Sequence, residues 1–141
     1  MIHQLIYASA ATIEWSPGAL LDLLHLARRH NGEVGISGML AHNGGTFLQF
    51  LEGPAGEVEA TLRRIEGDRR HTELAVLLRR EVEHRWFPDW SMGFEELDQV
   101  IPGPGIRAFV PPAGPVAMWV ADPGAALDFF DRCRPSRASA A

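Results

Sequence analysis

The chain has 141 residues, 46% of them apolar and 22% charged, with a formal net charge of −5. That length fits one domain of ordinary size, and a chain of it buries roughly 68% of its unfolded surface, so a disordered or disulfide-stapled chain is excluded. Apolar runs are broken by charge before the ~20 residues of a membrane span, and MIHQLIYASA lacks the form of a secretion signal. One cysteine, Cys133, cannot close an internal disulfide, which makes a reducing cytoplasm the expected compartment. All thirteen cations are arginine, yet the balance is acidic, so general nucleic-acid binding is not expected.

Residues 2–8 read as a first strand, β-branched and aromatic, ending at small residues. Ser16-Pro17 starts a helix, Ser as N-cap and Pro at its first position. Leu20, Leu23, Leu24 and Ala27 give it one apolar face, with Leu21 and Leu26 flanking, and Asn31-Gly32 reads as its end. A second strand over 34–41 carries two glycines, and His42-Asn43-Gly44-Gly45 reads as a hairpin turn. In the third strand, Thr46 to Glu52, Phe47, Gln49 and Leu51 share one face, Leu48 and Phe50 the other. Both faces are apolar, which makes it central and covered on both sides.

A second helix starts at Gly53-Pro54 and runs to about Gly67, with Val58, Leu62 and Ile65 on one face. A fourth strand spans about Glu73 to Val82, and a short fifth begins near Trp90 and runs through Phe94, at or near the first strand. The order β-α-β-β-α-β-β is that of an α+β, ferredoxin-like sandwich: a five-stranded mixed sheet with two helices on one face. Residues 102–115 hold five prolines and three glycines and read as a linker. Met118 to Cys133, amphipathic through Trp119, Leu127, Phe129 and Phe130, is expected to cover the other sheet face or a partner's sheet. The division is 1–97 for the α+β domain and 98–141 for the linker and C-terminal helical segment.

Catalytic constellations are scarce. The six histidines show no zinc spacing, and there is neither a P-loop nor a dinucleotide fingerprint, so no metal is expected. Several polar residues nonetheless stand in apolar settings. Gln49 interrupts the central strand, and a buried amide without partners costs about 1–3 kcal/mol. Tyr7 on the neighbouring first strand is within reach of it, Asn31 projects toward the same region, and Arg64 flanks the apolar face of the second helix. Each has an ordinary alternative: Tyr7 a half-buried strand residue, Gln49 a partner of loop backbone, His30-Asn31 a helix cap. Trp90 and Met92 alone would be core filler, and Arg69, Arg70 and His71 a solvated turn. A core has no use for all of them in one place, whereas a flat heteroaromatic ring with polar edges does.

The blocks LIYAS, HNGEVGISGML, FLQFLEGP, LRRIEGDRRH and FPDWSMGF, in that order over residues 2–97, resemble the BLUF domains, blue-light sensors that use FAD. The resemblance implies noncovalent FAD with its isoalloxazine between the two helices. It makes Tyr7 the light-driven electron and proton donor and Gln49 the switch. Asn31 and Arg64 would hold the ring carbonyls, Asp68 would help, His30 and Ile36 would line the pocket, and Arg70 and His71 complete the cofactor set. Trp90 and Met92 would relay the signal through the fifth strand. It implies a non-enzymatic, stand-alone photoreceptor that signals to a downstream protein partner and self-associates as a dimer or higher oligomer. Two alternatives stay open: an acylphosphatase-like hydrolase, and an interaction module on the same fold that has lost its flavin.

Overall fold

The computed structural model describes residues 1–12, 16–43, 45–88, 93–96 and 115–134. Its elements are β1 (Ile2–Ala11), α1 (Pro17–Val34), β2 (Ser37–Asn43), β3 (Thr46–Gly53), α2 (Ala55–Glu66), β4 (His71–Val82), β5 (Gly93–Glu96), α3 (Val116–Ala121) and α4 (Pro123–Cys133). The sheet order is β4-β1-β3-β2-β5, antiparallel except for β5, which runs parallel to β2. Two β-α-β crossovers are interleaved so that β3 lies between β1 and β2, and β1 between β3 and β4. This is the ferredoxin-like arrangement with one added strand.

Alternation along β1 and β3 sorts the core into two layers. Leu5, Tyr7, Phe47 and Leu51 pack with Leu23 and Ala27 of α1 and Val58, Leu62 and Ile65 of α2. Ile6, Ala8, Leu48 and Phe50 pack on the opposite face with Trp119, Phe129, Phe130 and Cys133. The C-terminal helices therefore cover this chain's own sheet, and the lone thiol sits in that core, 1% exposed.

Ser16 caps α1 as expected, accepting a hydrogen bond from the Ala19 amide at 3.1 Å, with Pro17 at the first turn. The helix does not stop at Asn31-Gly32. It continues to Val34, and Gly35 takes the left-handed conformation at φ 75° and donates to the Asn31 carbonyl. Asn-Gly permits a left-handed cap without requiring one, and Val34 gains burial by extending the helix into the core. In consequence β2 starts at Ser37, three residues later than expected. The expected fifth strand is corrected too: it pairs with β2 at the far edge, not beside β1, whose two edges β3 and β4 already occupy. Trp90, Met92 and residues 97–114 lie outside the described residues, as do the side chains of Leu20, Leu21 and Leu24.

Candidate functional site: a cleft over β1 and β3 between two helices

Tyr7 and Gln49 are direct partners in the antiparallel β1–β3 ladder. Both side chains rise on the helix side, 4% and 5% exposed, and the Tyr7 hydroxyl donates to Gln49 Oε1. Burial, and secondarily the negative Asp68 nearby, pushes the phenol well above its ordinary range. Tyr7 therefore keeps its proton and acts as a donor to the amide.

Above this pair α1 and α2 leave a continuous cleft. One part, roughly 530 Å³ of space open to solvent, is walled by Leu23, Ala27, Leu40, Phe47 and Ile65, with Tyr7, Ser9, Gln49, Asp68, Arg70 and His71 supplying polar atoms. The adjoining part, roughly 630 Å³, shares Gln49, Asp68 and Arg70 and adds His30, Asn31, Thr61 and Arg64. The lining has the make-up of an ordinary cofactor site, mostly apolar with a few convergent polar groups.

The fold supplies each polar group for a local reason. Leu23, Ala27 and Asn31 follow one another at i, i+4, i+8 on α1, so the face that packs on the sheet ends in a carboxamide, 2% exposed. Thr61 and Arg64 lie one turn apart on α2. His30 bridges the helices, its Nε2 meeting Thr61 Oγ1 at 3.2 Å while its Nδ1 meets Arg64 Nη1 at 2.6 Å. With Arg64 as donor, Nδ1 accepts and His30 carries its proton on Nε2. The turn between α2 and β4 is stitched to the end of β1: Thr12 Oγ1 donates to the Arg69 carbonyl at 2.7 Å, and its amide to that of Arg70 at 2.9 Å. Asp68 receives the Arg70 guanidinium side-on, at 3.1 Å from Nε and 2.6 Å from Nη2 to Oδ2. These bonds hold the Asp68 carboxyl down at about 2, against an opposing effect of burial. His71 meets the Ile65 carbonyl at 2.5 Å and leans toward the Tyr7 ring, centroids 6.5 Å apart.

The structure thus brings Tyr7, His30, Asn31, Gln49, Arg64, Asp68, Arg70 and His71 around one cleft. Ile36 is the exception: 2% exposed, it is buried in the core beside the cleft and lines neither part. Ser9 and Thr61 were not singled out by the sequence. Ser9 shares the parity of Tyr7 on β1, which is the signal that would have found it. Its Oγ is buried with no hydrogen-bond partner among the described residues, while Ser9 itself lines the cleft. Such an orphan calls for a ligand atom or water beside it. With apolar walls, an amide at the floor and donors at one end, the residues fit a ring system with polar edges.

Residues 2–93 match the family model described as sensors of blue light using FAD. The chain belongs to the BLUF family. It is a blue-light sensor module whose cofactor is FAD. It is 28% identical over 111 residues to the photoactivated adenylate cyclase alpha subunit of Euglena gracilis, covering 77% of this chain and 11% of that protein. It is 33% identical over 78 residues to the blue light- and temperature-regulated antirepressor BluF of Escherichia coli (strain K12), covering 55% and 19%. The chain thus spans a small fraction, 11–13%, of the cyclase subunits it matches. Among solved structures, the photo-activated state of BlsA superimposes with a TM-score of 0.65 at 33% identity, over 68% of this chain and 70% of that one. BlrB, a BLUF protein in its dark state, has a TM-score of 0.66 over 98% and 89%; at 24% identity it speaks for the fold alone. Neither the hydrolase reading nor the flavin-free module gains support from these likenesses. Among the relatives, adenylate cyclase activity goes with proteins several times longer than this chain. Among the described residues no helix is long and apolar enough to cross a membrane, and no acidic, histidine or cysteine cluster could hold a metal.

Proposed function

We propose that this BLUF chain is a reversible switch in which Tyr7 and Gln49 are the moving parts. The observation that carries it is the buried phenol directly opposite a buried carboxamide, hydrogen-bonded to it, at the floor of a mostly apolar cleft. Asn31 and Arg64 hold the polar edge of the ring, His30 fixes Arg64 from behind, and Leu23, Ala27, Phe47 and Ile65 cover its faces. Asp68, Arg70 and His71 close the end of the cleft next to Tyr7. Bound FAD supplies blue-light absorption and, when excited, a one-electron acceptor.

Tyr7 is the donor. A phenol that loses electron density releases its proton readily, and the nearest acceptor is Gln49 Oε1. A proton shift along that bond removes the reason for the present Gln49 orientation, so the amide rotates or changes tautomer and presents a different edge to the cleft. When the electron returns from the cofactor and the proton returns to Tyr7, the new amide orientation persists for a time, which gives two states of one hydrogen-bond network. From there the signal passes through the fifth strand and its approach, with Trp90 and Met92 as relay, to a downstream protein partner. Residues 1–97 act as the sensor and 98–141 as linker and cap. Self-association and a cytoplasmic setting complete the reading, the latter supported by the single cysteine.

The test is spectroscopic. Purified protein should be yellow, and blue light should displace the flavin band reversibly to longer wavelength. Tyr7→Phe should keep the flavin and lose the displacement. A Tyr7→Phe protein that still switched normally would remove Tyr7 from the mechanism.

A further inference from the structure

A second buried polar group on β3 stands outside the cleft. Glu52 is fully buried, three residues beyond Gln49 and on the opposite face of the sheet. Its carboxylate accepts four hydrogen bonds: Gln4 Nε2 at 3.0 Å, Ser37 Oγ at 3.0 Å, and the amides of Trp86 at 2.8 Å and Phe87 at 2.7 Å. Two are backbone amides of the segment leading from β4 toward β5. Ser37 in turn accepts from Arg85 Nη1 at 2.8 Å, and Gln4 Oε1 from Arg80 Nε at 2.8 Å. A carboxylate so filled is an anchor, since replacing either oxygen by a donor leaves buried amides without acceptors.

What it anchors touches the residue next to the switch. Phe50 follows Gln49 and so points away from the cleft. Its ring stacks on Trp86 at 5.5 Å and 9°, meets Phe87 edge-on at 5.2 Å, and leans on Phe130 of α4 at 5.5 Å. The Trp86 ring also carries the Arg134 guanidinium, 4.7 Å from its centroid, at the C-terminal end of α4. Arg134 is otherwise held by Asp131 at 3.2 Å, and its buried Nε has no hydrogen-bond partner among the described residues. The Trp86 contact thus ties the last residue of the helix end to the sheet, beside the core packing of Phe130 and Cys133.

We propose that Glu52 is a positioning residue for light output: it seats Trp86 and Phe87 against Phe50, and Trp86 in turn ties Arg134 and the end of α4 to the strand that carries Gln49. Reorientation of Gln49 shifts the backbone at Phe50, Trp86 tilts against its Glu52 anchor, and Arg134 is released. The inference rests on the photoswitch reading above. It assigns to the cap helix a readout independent of the cofactor cleft.

The experiment is amide hydrogen exchange of residues 123–134 in the full FAD-loaded chain, in darkness and under blue light, with absorption recorded on the same samples. Light should speed α4 exchange about two- to fivefold, the effect of releasing one cation–π contact. Arg134→Gln and Glu52→Gln should keep the full absorption displacement, because neither side chain lines the cleft. Both should already show the faster exchange in darkness, with no further response to light. If Glu52→Gln does not fold, Arg134→Gln carries the test alone. A normal absorption displacement with α4 exchange equal in light and dark overturns the inference and leaves the switch standing. So does an Arg134→Gln protein with the full light response at α4, and a folded Glu52→Gln protein with that response removes Glu52 from it. An unmodified chain with no absorption displacement overturns the switch reading and this one together.

Discussion

Tyr7 donates a hydrogen bond to Gln49 across the β1–β3 ladder, and both side chains are buried at the floor of the cleft. Because Tyr7 is the single tyrosine of the chain, its ionisation can be followed alone in the ultraviolet. Burial raises its pKa, so the folded protein should show no phenolate near pH 10, where an ordinary tyrosine titrates. The unfolded chain does lose that proton near pH 10. The Tyr7 contribution to stability is therefore complete below that pH and falls as pH rises beyond it. Phenolate absorbance should appear together with loss of the fold; a tyrosine titrating normally in folded protein would contradict the closed geometry.

Gln49→Leu should keep the apolar shape of the cleft floor and abolish the light response. It also leaves the Tyr7 hydroxyl buried without its acceptor. The expected destabilisation is about 1–3 kcal/mol, read from urea midpoints. Tyr7→Phe should cost less, since Gln49 loses a donor yet still borders the open cleft. Equal costs for the two variants would mean that another group takes the Tyr7 proton.

The Tyr7–Gln49 pairing was legible because a split β-α-β order forces the first and third strands together, and parity along each strand then fixes the shared face. The two-sided burial of β3 followed from its composition in the same way. What escaped depends on choices that local patterns leave open. Asn31-Gly32 and Gly35 are all competent to end α1, and burial of Val34 selects the later one. The fifth strand could join either edge of the sheet, and nothing in its own residues says which. The burial of Glu52 could not be read from the third strand itself, because its four donors come from residues 4, 37, 86 and 87, which only the fold assembles.

Two glycines of the Asn31 to Phe50 region make opposite predictions. A Cβ on Gly38 would run into the Phe50 carbonyl oxygen, a clash with backbone that cannot move aside. Gly38→Ala should destabilise by about 3 kcal/mol and break the β2–β3 pairing. Gly32, inside α1, has open space where an alanine methyl would stand, with nothing within 4 Å, and its φ is not positive. Gly32→Ala should stabilise by about 0.4–1 kcal/mol through the unfolded chain. Thermal midpoints should move in opposite directions, and a destabilised Gly32→Ala would restore Asn31-Gly32 as the helix end.

Asp68 and Arg70 give the cleft an acid limit. Side-chain hydrogen bonds from Arg70 hold the Asp68 carboxyl at about 2, below the unfolded value near 3.8. Its contribution to stability is present above the unfolded value and is lost as pH falls toward 2. Arg70→Gln should lower the urea midpoint at pH 6, and the gap to the unmodified protein should close between pH 4 and pH 2. A gap that stays constant over that range would mean the pair is not coupled to folding.

Near the start of β1 His3 lies between Glu59 of α2 and Glu81 of β4, at 2.8 and 2.7 Å. Burial works against its cation, but the hydrogen bonds to Glu59 and Glu81 outweigh that, and the His3 pKa is raised. Glu59 is lowered, first by Arg79, then by His3. A raised histidine stabilises fully below its unfolded value of 6.5 and loses that effect as pH climbs through the folded value. A lowered carboxylate stabilises above its unfolded value of 4.5 and loses it toward acid. The two conditions overlap between about pH 4.5 and 6.5, so the cluster should contribute most there. His3→Gln should therefore lower the urea midpoint most near pH 5.5 and progressively less above neutrality, and added salt should shrink the difference because Glu81 and Arg79 are about half exposed. A His3→Gln effect that grew with pH would reverse the sign of this linkage and separate His3 from the two carboxylates.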